Sequence, residues 1–239
     1  MDTNLYIANH PLSGLQARAG LPRVVEIVLA AIALVASFPI LILAALAIAV
    51  DSEGSPLFRQ ERIGRSGCVF LLFKLRTMHL AGAGLGVTSA DDDRVTPIGR
   101  LLRRTKLDEL PQLWNVVKGD MSLVGPRPEV PRYVDLANPE WRLVLSARPG
   151  ITDPMTLRLR CEEELIAAVK EDRERFYLDA VQPFKLNGYL DYLIKRTWWR
   201  DLLVLSSTVI MLLTPWQWDP APMEEILAFS SRWGRSHLP

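Results

Sequence analysis

From Val24 to Val50 the chain is apolar at every position except Glu26, Ser37 and Pro39. This run of about 27 residues exceeds the ~20 that a membrane helix needs. It is too long for the apolar core of a signal peptide and lacks a clear small-residue cleavage site. The pattern predicts a helix inserted in a membrane. Arg18 and Arg23 precede the run and Arg59, Arg62 and Arg65 follow it, so the distribution of positive charge selects no orientation. Pro39 removes a backbone donor near the middle and crowds the preceding turn. The Ser37 hydroxyl is placed to take up a carbonyl freed at that point. Two topologies fit these features: a helix that crosses the bilayer, and one that bends at Pro39 and returns to the face it entered from.

Beyond Asp51 the pattern becomes amphipathic. Val69–Met78 mixes aromatic and apolar residues and predicts a short strand. Residues 81–96 are rich in Gly, Asp and Thr and read as a loop. Ile98, Leu101, Leu102 and Thr105 then recur at helical spacing, with Arg100, Arg103, Arg104 and Lys106 around them. Such a basic helix suits a membrane surface or an anionic ligand, although a solvated charged face has the same pattern. A second helix is expected from Thr105 to Gly119. Thr105 and Asp108 resemble a capping box without its usual Glu or Gln, Pro111 falls in the first turn, and Gly119 is the stop. Residues 162–196 read as helical and charged. The apolar stretch from Asp201 to Thr214 is too short to cross a bilayer. With Trp198, Trp199, Trp216 and Trp218 at its flanks it suits the membrane interface, or a core helix with incidental tryptophans.

Composition narrows the class. The 239 residues carry 28 Lys and Arg against 27 Asp and Glu, so net charge offers no case for a nucleic-acid partner. A mean hydropathy of +0.12 in a chain that is 23% charged points to one very apolar segment on an otherwise ordinary globular part. Cys68 and Cys161 have no metal-site spacing and read as unremarkable thiols, although a single disulfide is compatible. His10, His79 and His237 lie in separate contexts.

The candidate chemistry centres on Asp108 and Glu109. At the start of a helix the dipole favours an ionised carboxylate and a nearby phosphate. An ionised Asp can attack phosphorus and form an acyl-phosphate. Its neighbour points about 100° away around a helix, so Glu109 is free for another task, such as holding a divalent ion. An Asp-Glu pair in a first turn is also an ordinary helix-stabilising feature. Downstream, Ser122–Glu129 sets Arg127 between Pro126 and Pro128, which stiffen the loop that carries its guanidinium. That arrangement suits phosphate recognition, as well as a rigid turn with an exposed Arg. Arg148-Pro-Gly-Ile-Thr152 repeats the theme of a cation beside a tight turn.

Together, Lys74-Leu-Arg-Thr-Met78, Thr96–Arg104, Asp108–Pro128 and Arg148–Thr152 closely resemble the bacterial sugar transferases, the monotopic phosphoglycosyl transferases that begin assembly of capsule, exopolysaccharide, O-antigen and glycoprotein glycans. The resemblance covers about residues 20–215. It implies an α+β, mainly helical protein: an N-terminal cytoplasmic segment (1–22), a re-entrant membrane helix (23–51) broken near Ser37 and Pro39, and one cytoplasmic catalytic domain (52–239), at the cytoplasmic face of the bacterial inner membrane. It also implies transfer of a phospho-sugar from a UDP-sugar to polyprenyl (undecaprenyl) phosphate, with UMP release, a covalent intermediate and a need for Mg2+. By position, Asp108 matches the nucleophile and Glu109 its metal-side partner. Lys74, Arg103, Arg127 and Arg148 match substrate-binding cations, and Asp201 a later acidic residue. Membrane lipid is an expected partner, nucleic acid is not, and a homodimer is compatible. Three departures stand out. Leu75 replaces the usual Phe. Phe38 precedes Pro39 where Ser is usual. Asp153–Arg160 and Glu162–Glu164 replace a Gly-Trp-Ala-Gln-type segment to which donor preference is tied. The rival reading is a non-catalytic membrane-tethered scaffold; a two-carboxylate glycosidase needs facing groups that adjacent helical residues rarely supply.

Overall fold

The computed structural model describes residues 16–79, 88–214 and 220–236. Its longest element is helix α1, Arg23–Asp51, which continues without interruption through Pro39. The Ser37 hydroxyl donates to the Leu34 carbonyl at 3.1 Å, one residue short of the Val35 carbonyl that Pro39 cannot bond. The expected break at Ser37 and Pro39 is therefore absent from the helix as described. At ~1.5 Å per residue, α1 is about 43 Å long.

One side of α1 packs along the rest of the chain. Ala30, Leu34, Leu41, Ala44 and Ile48 join the apolar clusters, at alternating three- and four-residue intervals apart from one doubled step filled by buried Ser37. This is the spacing of a stripe that faces a single partner. The opposite side leaves Val28, Ile32, Val35, Leu43 and Leu46 exposed.

The antiparallel hairpin β1 (Leu57–Ile63) and β2 (Val69–Leu75) pairs Phe58 with Lys74 and Ile63 with Val69. An aromatic and apolar run marks β2, but not β1, whose Arg59, Gln60, Glu61 and Arg62 dilute the apolar signal. Arg59 instead lies over the Phe73 ring at 5.8 Å, a cross-strand contact of the kind that stabilises hairpins. Helix α2, Pro97–Thr105, is capped by the Thr96 side chain, which accepts from Gly99. Helix α3, Gln112–Lys118, ends at Gly119 in the left-handed region, as the stop signal predicts.

A second, parallel pair joins β3 (Ser122–Val124) to β4 (Gly150–Thr152). Between them lies α4, Pro139–Val144. Helices α5 (Pro154–Arg158), α6 (Glu162–Ala167) and α7 (Arg173–Phe176) lead through a π-helical turn, Tyr177–Val181, into α8, Gln182–Lys195. Helix α8 is the hub of the core: Phe184, Leu190 and Leu193 are almost fully enclosed and cluster with Trp141 and Val144 of α4 and Met155 of α5. Helix α9, Trp198–Leu213, buries Asp201, Val204 and Met211 and exposes Trp198, Trp199, Leu203, Ile210 and Leu213. Trp216 and Trp218 lie outside the described residues. Helix α10, Met223–Ser236, closes the chain by placing Ile226 and Phe229 in the core. The described chain is thus α+β and mainly helical, and Cys68 and Cys161 are both unpaired.

Candidate active site

The turn that carries Asp108 and Glu109 begins with a sharp reversal. Thr105 does not cap a new helix: its hydroxyl donates back to the Leu101 and Leu102 carbonyls, inside the last turn of α2. Lys106 then takes a left-handed conformation, φ 59°, which few non-glycine residues adopt and which recurs at functional sites. A tight 3₁₀ turn follows, Leu107–Glu109, and Pro111 leads directly into α3. The dyad thus sits in the link between two helices, pressed against β2.

Lys74 reaches across from β2, its Nζ 3.4 Å from Glu109 Oε1 and 4.0 Å from Asp108 Oδ2. Arg127 meets Glu109 with both prongs of its fork, at 2.6 and 3.1 Å. Such bidentate geometry is strong and directional. The Pro-Arg-Pro loop is fixed from below. Arg62 donates to the Pro128 carbonyl, the Ile63 amide to the Glu129 carbonyl, and Tyr177 to the Glu129 carboxylate. Arg103 is braced between Thr77 and Glu163, within electrostatic reach of Asp108.

The two carboxylates differ in consequence. Burial raises the Asp108 pKa, and Lys74 only partly opposes this. Glu109 is also buried, but Arg127, Lys74 and Lys106 outweigh that penalty and hold it well below the usual glutamate value. Burial lowers the Lys74 ammonium, with Glu109 opposing the shift, while the charge of Glu109 raises Arg127. Asp108 Oδ1 is buried and has no hydrogen-bond partner among the described residues.

Of the predicted site residues, Lys74, Arg103 and Arg127 gather around the dyad; Arg148 and Asp201 do not. Arg148 donates to the Gly119 carbonyl, at the end of α3 away from the dyad. Asp201 is fully enclosed. Its oxygens accept from the Leu21 amide, the Tyr192 hydroxyl and the Arg196 guanidinium. It is a structural anchor between the chain start and α9 rather than a ligand for substrate, because every acceptor direction is engaged. Lys106 and Glu163 also belong to the site, although the sequence pattern assigned neither a role: Lys106 acts on both carboxylates through its charge, and Glu163 pairs with Arg103. Only the left-handed bend exposes Lys106 to both carboxylates, and Glu163 arrives from a segment that departs from the usual motif.

No cluster of three or more His, Cys, Asp or Glu occurs among the described residues. Mg2+ is often held by one or two carboxylates together with substrate phosphates. The open Asp108 Oδ1 fits that role. Glu109, expected to share the ion, has both oxygens on Arg127 and fits only if that pair opens.

Comparison with known proteins identifies the family. Residues 17–215 match the model of the bacterial sugar transferase family. The chain is 43% identical over 198 residues to the UDP-glucose:undecaprenyl-phosphate glucose-1-phosphate transferase of Caulobacter vibrioides, covering 80% of this chain and 69% of that protein. It is 31% identical over 202 residues to the UDP-N-acetylgalactosamine-undecaprenyl-phosphate N-acetylgalactosaminephosphotransferase of Aeromonas hydrophila, covering 82% of this chain and 44% of the relative. A glucose-1-phosphate transferase of Escherichia coli K12 is 40% identical over 151 residues, 59% of this chain and 31% of that protein. The chain belongs to the bacterial sugar transferase family.

Proposed function

We propose that the protein transfers a phospho-sugar from a UDP-sugar to undecaprenyl phosphate at the cytoplasmic face of a bacterial inner membrane. The observation that carries this reading is the buried Asp108, whose Oδ1 is unpartnered inside a ring of Lys74, Lys106 and Arg103 charge. The Asp108 carboxylate attacks the β-phosphorus of the donor, and an O–P bond forms. The bond from that phosphorus to the bridging oxygen breaks, and its electron pair leaves on UMP. The lipid phosphate then attacks the same phosphorus and releases Asp108. The surrounding cations offset charge on the transferring group where water is excluded. Mg2+, when bound, neutralises diphosphate charge. The similar proteins are named for glucose and for N-acetylgalactosamine transfer, so the donor is chosen by experiment.

The path of α1 supports a one-sided membrane topology. At its start, Arg23 donates to the Val116 and Met121 carbonyls, and Ser122 donates to Glu26. Just past its end, Arg76 donates to the Ser52 and Glu53 carbonyls. Both ends are fastened to one polar domain, which does not suit a helix whose far end lies across ~30 Å of hydrocarbon. The exposed apolar side of α1 and the Trp198, Trp199 and Leu213 side of α9 supply the lipid-facing surface.

The test is UMP release by detergent-solubilised protein from a UDP-sugar panel that includes UDP-glucose and UDP-N-acetylgalactosamine. Asp108→Asn is expected to abolish release, and mass spectrometry to locate a phospho-sugar on Asp108 in the wild type. Release that survives Asp108→Asn sinks the proposed nucleophile. No release with any donor favours the scaffold reading.

A further inference from the structure

Among the described residues, a second buried polar atom near the dyad is left without a partner: Gln112 Nε2, on a residue only 1% exposed. Leaving a buried amide donor unpaired costs about 1–3 kcal/mol, so such atoms are rare and call for an explanation. Gln112 opens α3, between two residues that both touch β2. On one side Asp108 faces Lys74. On the other, Asn115 donates to the Leu71 carbonyl and accepts from the Phe73 amide. The backbone from Asp108 to Gln112 is a 3₁₀ turn followed by Pro111, and α3, which Gln112 opens, packs against β2. Asn115 has its partners and Gln112 Nε2 has none.

The two unpartnered atoms are complementary. Asp108 Oδ1 is an unpartnered acceptor and Gln112 Nε2 an unpartnered donor, four residues apart in the chain, and they do not bond each other. A tetrahedral phosphoryl group satisfies both at once: its phosphorus meets the carboxylate while a non-bridging oxygen accepts from the amide. We propose that Gln112 is a catalytic residue whose side-chain amide donates to a non-bridging oxygen of the β-phosphoryl group as Asp108 attacks it. This rests on the transfer proposed above. The donor is neutral and fixed in place, so it holds the developing charge without adding to the positive field that already lowers Glu109. The bonds made and broken are those of that transfer; Gln112 gives up no proton.

Gln112→Met keeps the length of the side chain and removes the donor. UMP release is expected to fall roughly 100-fold or more in kcat, the usual loss when one such donor is removed, with KM for the UDP-sugar little changed. The melting temperature is expected to hold or rise, because an unsatisfied amide leaves the interior. The acid limb of the pH profile is expected to stay in place. A shift of that limb means that the amide serves Asp108 rather than the phosphoryl group and overturns the proposal. A Gln112→Met protein with near wild-type kcat overturns it too, as does a clear loss of stability, which reveals a structural bond. Gln112→Glu, which removes the neutral amide donor at unchanged shape, supplies a second kinetic comparison, with a loss at least as large expected. Wild-type protein that releases no UMP from any donor defeats the underlying transfer instead, and is recognised before any variant is compared.

Discussion

At the scale of single residues, the dyad shifts two adjacent carboxylates in opposite directions. As the proposed nucleophile Asp108 must be ionised, yet burial raises its pKa above the ordinary 3.8. The rate of UMP release is therefore expected to fall, as pH drops, at a higher pH than an exposed aspartate would give. Lys74 works against that rise, so Lys74→Met should move the acid limb further up; a pH–rate profile of both proteins checks it. Stability follows the same signs. The folded state holds the Asp108 proton more tightly than the unfolded chain does, so this group favours folding at low pH and its contribution is lost as pH rises through the raised value. Glu109 does the reverse: its contribution is present above the ordinary 4.5 and lost as pH falls. Glu109→Gln should thus flatten the acid side of a melting-temperature profile and free the Arg127 fork. Arg127 was legible as a cation on a stiff loop from its flanking prolines. That its first partner is Glu109 was not, because the contact spans 18 positions and depends on how the loop folds over β2.

At the scale of elements, the sequence is clearest where one period dominates. Helix α1, strand β2, helix α2 and the Gly119 stop all follow from local pattern and turn chemistry. The signal fails where tertiary pairing decides. Thr105 reads as a cap because Ser or Thr before an acidic residue commonly is one, but Lys106 can turn left-handed and end α2 first. Strands β3 and β4 have three residues each, too few for any period, and exist because they find each other. Their pairing needs glycine at Gly150: a Cβ there would lie 2.1 Å from the Gly125 nitrogen and 2.4 Å from its carbonyl oxygen. Neither is the movable end of a side chain. Gly150→Ala is therefore expected to cost about 2–3 kcal/mol as an overpacked site, read as a melting temperature lowered by roughly 5–10 °C at this chain length. UMP release should fall with it, because β3 leads directly into the Pro-Arg-Pro loop.

At the scale of the whole molecule, the turn that carries the dyad and the apolar helix belong to one packed body. Helix α3 follows the dyad, and Arg23, the first residue of α1, donates to the Val116 carbonyl in its last turn and to the Met121 carbonyl just beyond it. Arg76, two residues past Lys74, holds the backbone beyond the other end. A helix pinned in this way has no free end to match to the opposite leaflet. In vesicles of short-chain or long-chain lipids, a spanning helix must tilt or deform the bilayer to correct the mismatch. Here the draught of the enzyme, like that of a hull, is set by its own shape. Turnover is expected to be flat across bilayer thickness, and a sharp optimum at one acyl-chain length would show that α1 crosses after all.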